Sequence, residues 1–165
     1  MNTMTDQFSE DVITLRGTEI PVQSGYVSQL DLRFYTENPR IYSQVWFDPE
    51  IEPSQESIFQ ALARLEHVRE HLIPNIRHNG GLIEPVLVRK NVVLEGNSRL
   101  AAYRVLYKED EEKWARIRVR VLPEKITDSQ VFSLLGEYHI VGKKDWLPYE
   151  QAGYLWRRFS KHNVS

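Results

Sequence analysis

The sequence predicts an α+β fold in which a small mixed β-sheet is flanked by helices and followed by a C-terminal helical extension. Short runs of β-branched residues alternate along the chain with segments whose apolar residues recur every three or four positions. The 165 residues, 41% hydrophobic and 27% charged, have the composition of a globular domain that buries its own core. Cysteine is absent, which excludes disulfides, thiolate metal sites and cysteine nucleophiles.

The first half of the chain predicts a hairpin, a strand and one long helix. Residues 12–15 and 18–22 form strands that turn at Gly17, and residues 26–32 alternate weakly as a further strand. Residues 57–72 carry apolar residues at three- and four-residue steps behind a capping pattern, which predicts a helix that Pro74 ends or kinks. A short helical turn then stops at residues 79–81.

The second half alternates between strands and helices more sharply. Residues 85–89 and 92–95 predict two strands joined by a tight turn, and residues 99–108 predict a helix after the glycine break. Residues 116–122 alternate strictly between arginine and β-branched residues, which predicts a half-buried strand with a basic outer face. Two tail helices follow, one capped at Thr127 or Asp128 and one over residues 149–162.

The charged residues divide the chain into an acidic front and a basic back. Residues 1–70 hold 12 acidic and 5 basic side chains, and residues 71–165 hold 11 acidic and 16 basic side chains. The small net charge of -2 is therefore the sum of an acidic first part and a basic second part. A basic back can be a solvated face or a surface for phosphate. No apolar run approaches about 18 residues and no secretory signal opens the chain, so the sequence predicts a cytoplasmic protein without membrane contact.

The strongest local signal for a ligand is the junction between the second strand of the tight hairpin and the helix that follows it. Gly96 breaks the strand, Asn97 or Ser98 can cap the helix or bind an anion, and Arg99 adds a planar guanidinium. Unpaired amides and the helix dipole favour negative charge at such an end. The pattern predicts a phosphate site, although a purely structural cap would use the same residues.

Five segments follow one another along the chain: Asn38-Pro39-Arg40, the long helix, residues 81–86, the hairpin and residues 95–102. In this order they resemble the N-terminal domain of ParB proteins, of the ParB/sulfiredoxin superfamily. The resemblance covers residues 26–165. It implies a core over residues 26–126, after an N-terminal segment over 1–25 and before a helical extension over 127–165. ParB proteins bind and slowly hydrolyse CTP, and relatives use ATP or ADP.

The resemblance also implies which residues line the nucleotide pocket. The first wall would be Gly80, Gly81, Glu84 and Pro85, and the phosphates would lie on Gly96, Asn97, Ser98 and Arg99. A third segment would fall within residues 137–144 and offer Glu137, His139, Lys143 and Lys144. Glu84 stands where the family has glutamine, which adds negative charge. The third segment can be aligned from Glu137 forwards or from Asp145 backwards, and both alignments stay open.

Two positions near the turn bear on catalysis. Sulfiredoxins place their catalytic cysteine where this chain has Asn97, so that activity is excluded. Glu95 could act as a general base or hold Mg²⁺ through water, as an acidic residue near this turn does in superfamily enzymes that transfer phosphate. It could equally be an ordinary glutamate at a strand end. His67 and His71 have helical ligand spacing but no third ligand, so no metal site is predicted.

Three functions follow as hypotheses. The first is a ParB-like domain that binds CTP or ATP with Mg²⁺ and switches by closure or homodimerisation. The protein would contact DNA through a helix-turn-helix domain beyond Ser165 and act in chromosome or plasmid partition. The second is a nuclease or small-molecule kinase that uses Glu95. The third is a DNA-binding adaptor without nucleotide chemistry, in which Arg116, Arg118 and Arg120 contact phosphate.

Overall fold

A six-stranded mixed sheet organises the protein, as seen in a computed structural model that describes residues 7–37, 46 and 50–138. The strands are β1 (Ser9–Leu15), β2 (Thr18–Ser28), β3 (Arg33–Phe34), β4 (Val86–Arg89), β5 (Val92–Glu95) and β6 (Arg116–Val121). Their order across the sheet is β1-β2-β6-β4-β5-β3. The predicted α+β class with a mixed sheet is confirmed.

The N-terminal hairpin is longer than the sequence predicted. Arg16 and Gly17 both have positive φ, 50° and 83°, which suits the tight turn between β1 and β2. β2 continues to Ser28 and pairs antiparallel with β6, so it absorbs the start of the strand predicted at residues 26–32. The remainder of that segment contains a 3-10 turn, and the short β3 follows it. The boundary predicted at residue 25 therefore falls inside a strand.

The β4–β5 hairpin matches the sequence closely. Lys90 and Asn91 turn it with φ of 52° and 66°, as expected where an asparagine tolerates positive φ. β4 pairs antiparallel with β5 and parallel with β6, while β3 adds in parallel to the far edge of β5. In β6, Ile117 and Val119 are buried and Arg118 is exposed, which confirms the alternation.

The long helix predicted over residues 57–72 is wrong in its start and its continuity. Helix α1 (Gln55–Ala63) begins two residues earlier, because the Ser54 hydroxyl accepts a hydrogen bond from the Ser57 amide and caps it. The chain then re-enters a helix as a π turn (Val68–Leu72) that leads into α2 (Ile73–Asn79), with Pro74 in its first turn. Gly80 ends α2 at φ 80°, as predicted.

Two further helices complete the described architecture. Helix α3 (Asn97–Glu109) follows β5 directly, and α4 (Asp128–Gly136) starts from a capping box in which Thr127 and Gln130 exchange hydrogen bonds. One core lies between the sheet and α1, α2 and α3, and includes Val86, Leu100 and Ile117. The second lies on the other side of the sheet against α4, and includes Leu87 and Leu134. The tail helix predicted at residues 149–162 lies outside the described residues.

Candidate functional site

The backbone of the strand-to-helix junction turns so that a helix begins directly after the strand, which is the arrangement an anion site at a helix N-terminus requires. β5 ends at Glu95, Gly96 turns the chain at φ 101°, and α3 starts at Asn97. Gly96 is the N-cap, and no side chain caps the helix, so the expectation that Asn97 or Ser98 is the cap is wrong. The first amides of α3 are thus left without a capping side chain.

Gly96 is required by packing rather than by the approach of a ligand. A Cβ atom at this position would lie 2.6 Å from Cγ1 of Val86 and 2.7 Å from Nη2 of Arg99. Both distances are shorter than the contacts that Cβ atoms make in folded proteins, and the positive φ also disfavours any residue other than glycine. The side of the turn that a Cβ would occupy is therefore filled by the protein, and a ligand would have to reach the amides from the opposite side.

Arg99 does not present the free guanidinium that the sequence suggested. Its Nη2 donates to Oε1 of Glu95 at 2.7 Å, and its Nη1 lies 3.6 Å from Oε1 of Glu84. The Arg99 and Glu95 side chains are only 15% and 8% exposed, whereas the Glu84 side chain is 63% exposed. Arg99 thus has one buried, well-formed ion pair and one longer, solvent-exposed ion pair.

Asn97 holds the turn in place through its side chain. Its amide donates to the Val93 carbonyl at 2.8 Å and its Oδ1 accepts from the Tyr35 backbone N–H at 3.0 Å. Asn97 is buried, so its side chain ties β5, α3 and the segment after β3 together. For a ligand, Asn97 can offer its backbone N–H but not its side chain.

Asn97→Ala is expected to destabilise the protein by about 2 kcal/mol, because it removes the two hydrogen bonds that the buried side chain makes to the backbone of Val93 and Tyr35. Urea denaturation followed by circular dichroism measures the change. Ser98→Ala, at the neighbouring and more exposed position, serves as the control and should change stability by less than about 0.5 kcal/mol. Equal effects of the two substitutions would contradict the role assigned to Asn97.

The third predicted segment reaches the same cluster through Tyr138. Burial raises the pKa of Tyr138, and the nearby carboxylates of Glu95 and Glu84 raise it further, while a hydrogen bond and the charge of Arg120 oppose them. Nε of Arg120 also lies 3.9 Å from Oδ2 of Asp11. Glu84 and Glu95 thus meet at Arg99, and Tyr138 lies close enough to both carboxylates and to Arg120 for their charges to act on it.

The other predicted residues of the pocket are distributed more widely. Gly80 and Gly81 line a separate cavity at the end of α2, and Pro85 comes immediately before β4. The Glu137 carboxylate lies 3.8 Å from Arg16, and both side chains are largely exposed. His139, Lys143 and Lys144 lie outside the described residues.

The arginines predicted to contact DNA have partners within the protein. Arg116 donates to the Tyr26 carbonyl at 3.2 Å and lies 5.6 Å above the Tyr26 ring. Arg118 donates to the Ile83 carbonyl at 3.1 Å. These bonds engage part of each guanidinium, and DNA binding by this face remains a prediction.

Comparison of the chain with protein-family models, with curated proteins and with solved structures gives no match. The resemblance to ParB N-terminal domains therefore stays a prediction. Within the described ranges, no helix has both the length and the apolar character that crossing a bilayer demands.

Sequence reasoning singled out neither Tyr26 nor Tyr103, which line the cavity beside Gly80 and Gly81. The pairing of Glu95 with Arg99 joins a strand end to the first turn of a helix, and the four-residue spacing is the one signal that could have indicated it.

Proposed function

We propose that this protein is a ParB-like domain that binds a nucleoside triphosphate, CTP or ATP, at the start of α3. The observation that carries the proposal is the convergence of Glu84, Glu95, Arg99 and Tyr138, one or more from each of the three segments expected to line the pocket. The amides at the start of α3 and the Arg99 guanidinium would together receive the phosphates.

The two ion pairs of Arg99 have different roles in this proposal. Glu95 accepts the buried hydrogen bond from Arg99 and acts as a positioning residue, because this bond fixes the direction of the guanidinium. The contact with Glu84 is longer, at 3.6 Å, and weaker, because water screens an ion pair whose carboxylate is 63% exposed. A phosphate carries more charge than a carboxylate and matches the guanidinium as well, so it would displace Glu84 from Arg99.

Magnesium would accompany the nucleotide rather than reside in the protein. Over residues 7–37, 46 and 50–138, no group of three or more His, Asp or Glu side chains could hold a metal ion. A resident ion therefore does not fit the side chains of this part of the chain. Mg²⁺ needs no such cage when substrate phosphates supply its ligands, and there it would reduce their negative charge.

His139, Lys143 and Lys144 are proposed as further phosphate contacts, since they lie shortly after Tyr138 in the chain. Nucleotide binding there would bias closure or homodimerisation of the domain, and a downstream domain would contact DNA. The enzyme hypothesis receives less support, because Oε1 of Glu95 is bonded to Arg99 at 2.7 Å inside the protein. A general base would need that carboxylate directed at a substrate.

The proposal is tested by thermal denaturation with CTP, ATP and GTP, each with Mg²⁺. A nucleotide that binds the folded state stabilises it by about 2.7 kcal/mol at about 100 times its dissociation constant, which raises the melting temperature by several degrees. We expect CTP or ATP to give this rise and Mg²⁺ alone to give none. No rise with any of the three nucleotides would overturn the proposal.

Glu84→Gln is expected to tighten nucleotide binding, because it removes a negative charge that competes with phosphate for Arg99. Removing an exposed ion pair of this kind changes affinity by about two- to fivefold. Isothermal titration calorimetry measures it. Glu109→Gln is the matched control, since its carboxylate is paired with Arg77 at 2.7 Å outside the cluster and it should bind as the wild type does. Weaker binding by Glu84→Gln would mean that Glu84 assists the ligand instead.

A further inference from the structure

A cavity of about 460 Å³ opens at the C-terminal end of α2, between α3 and the start of β6. Its wall includes Gly80, Gly81, Tyr26, Tyr103, Lys113 and Arg116. Glu84, Glu95 and Arg99 are not among its lining residues, so the cavity is separate from the turn discussed above. Its volume lies within the range of small-molecule sites in proteins.

Tyr103 brings a polar group without a partner to this cavity. The residue is 3% exposed, and its ring packs edge-on against Trp114 with centroids 5.4 Å apart. Its hydroxyl oxygen lies 3.9 Å from the position of a Cβ on Gly81 and, in the part of the chain that the structure describes, makes no hydrogen bond. Burial raises the pKa of Tyr103 to about 12, with a smaller contribution from Tyr26, so the hydroxyl stays a donor at neutral pH.

The rim of the cavity combines an aromatic ring with positive charge. Tyr26 is 49% exposed, and the Arg116 guanidinium lies 5.6 Å from the centre of its ring. The Lys113 ammonium lies 5.1 Å from the centre of the Trp114 ring. Among the described residues of the lining, Glu112 is the one that is acidic, so two cations face one carboxylate. This balance favours an anion over a cation, and the exposed ring favours a planar partner.

We propose that this cavity is a second ligand site, for a small aromatic ring that carries one anionic group. The ring would pack against Tyr26, the anion would lie near Lys113 and Arg116, and an acceptor atom would receive the Tyr103 hydroxyl. The Tyr103 side chain lines the cavity and its hydroxyl has no partner among the described residues, so it is available to donate to such a ligand. The proposal does not depend on nucleotide binding at α3, because the two sites share no side chain.

The test follows the backbone amides of Gly80 and Gly81 by NMR while phenyl phosphate or benzoate is added. We expect saturable shifts of both amides with a dissociation constant of about 1 mM or below for at least one of the two anions. The stronger binder distinguishes a phosphate from a carboxylate. Benzamide, which has the ring without the charge, should bind at least about tenfold more weakly. The absence of saturable shifts, or equal binding of benzamide, would overturn the proposal.

A pair of matched variants tests whether the Tyr103 hydroxyl donates a hydrogen bond to the ligand. Tyr103→Phe should weaken binding of the better anion by about five- to tenfold, the loss expected for one hydrogen bond. Tyr107→Phe, one turn further along α3 and outside the cavity lining, should bind as the wild type does. Excess CTP or ATP with Mg²⁺ should leave the shifts at Gly81 unchanged. Competition by nucleotide, or an unaffected Tyr103→Phe, would refute a separate site, while failure of nucleotide to bind at α3 would not affect it.

Discussion

Arg99→Ala should abolish the rise in melting temperature that CTP or ATP produces, and should itself destabilise the protein by about 3 kcal/mol. The first effect follows because Arg99 is the cation proposed to receive the phosphates, at the point where Glu84 and Glu95 meet. The second follows because Glu95, 8% exposed in its side chain, would keep a buried charge without its partner. Thermal denaturation with and without nucleotide measures both.

Two further variants separate folding from binding in this experiment. Arg99→Lys keeps a positive charge beside Glu95 but lacks the planar guanidinium, so it should remain folded and bind nucleotide about tenfold more weakly. Arg118→Ala removes an arginine from an exposed position on β6 and should retain the full nucleotide response. If Arg99→Lys and Arg99→Ala both stay folded and respond like the wild type, Arg99 does not hold the phosphates.

Gly96→Ala should destabilise the protein by about 3 kcal/mol, for two reasons that add. A side chain at φ 101° is strained by about 1–2 kcal/mol, and the new methyl group would overlap Val86 and the Arg99 guanidinium. Gly17→Ala is the matched control: its φ is 83°, but nothing lies within 4 Å of its Cβ position, so only the strain applies. Urea denaturation should therefore give Gly17→Ala about 1 kcal/mol. Equal losses of stability in the two variants would show that the Val86 side chain moves aside at little energetic cost.

The elements that the sequence predicted well are those whose signals are local. The turn at Lys90-Asn91, the start of α3 after Gly96 and the alternation of β6 each depend on neighbouring residues. The extension of β2 to Ser28 depends instead on pairing with β6, which is remote in sequence. No local pattern could give that length.

The break in the long helix shows a second reason for failure. The apolar residues between 57 and 72 keep a helical spacing, so nothing in the pattern marks the interruption after Ala63. One residue, Ile73, separates the π turn at Val68–Leu72 from Pro74, and the Ile73 amide bonds to the Val68 carbonyl five residues back. A proline clashes with the carbonyl four residues before it, and a wider turn reduces that clash. Hydrophobic spacing does not report such a change in hydrogen bonding.

Part of the candidate site's geometry was predictable, but its electrostatics were not. The resemblance implied that positions 84, 95–99 and 137–144 would line one pocket, and residues 84, 95 and 99 are in contact. Gly80 and Gly81, which the resemblance implied for the same pocket, line a separate cavity. The pairing of Arg99 with two carboxylates requires distances that a sequence does not contain. Likewise, the Tyr103 hydroxyl could be recognised as unpaired only once its surroundings were known.

The position of β2 in the sheet also constrains the order in which the chain folds. β2 lies between β1 and β6, and the Tyr26–Arg116 contact joins residues 90 positions apart. During synthesis the hairpin of β1 and β2 therefore leaves the ribosome long before the strand that completes its pairing, and it waits with one edge unpaired. Because loop closure over so many residues is entropically costly, assembly of β6 onto β2 is expected to be a late step on the folding pathway.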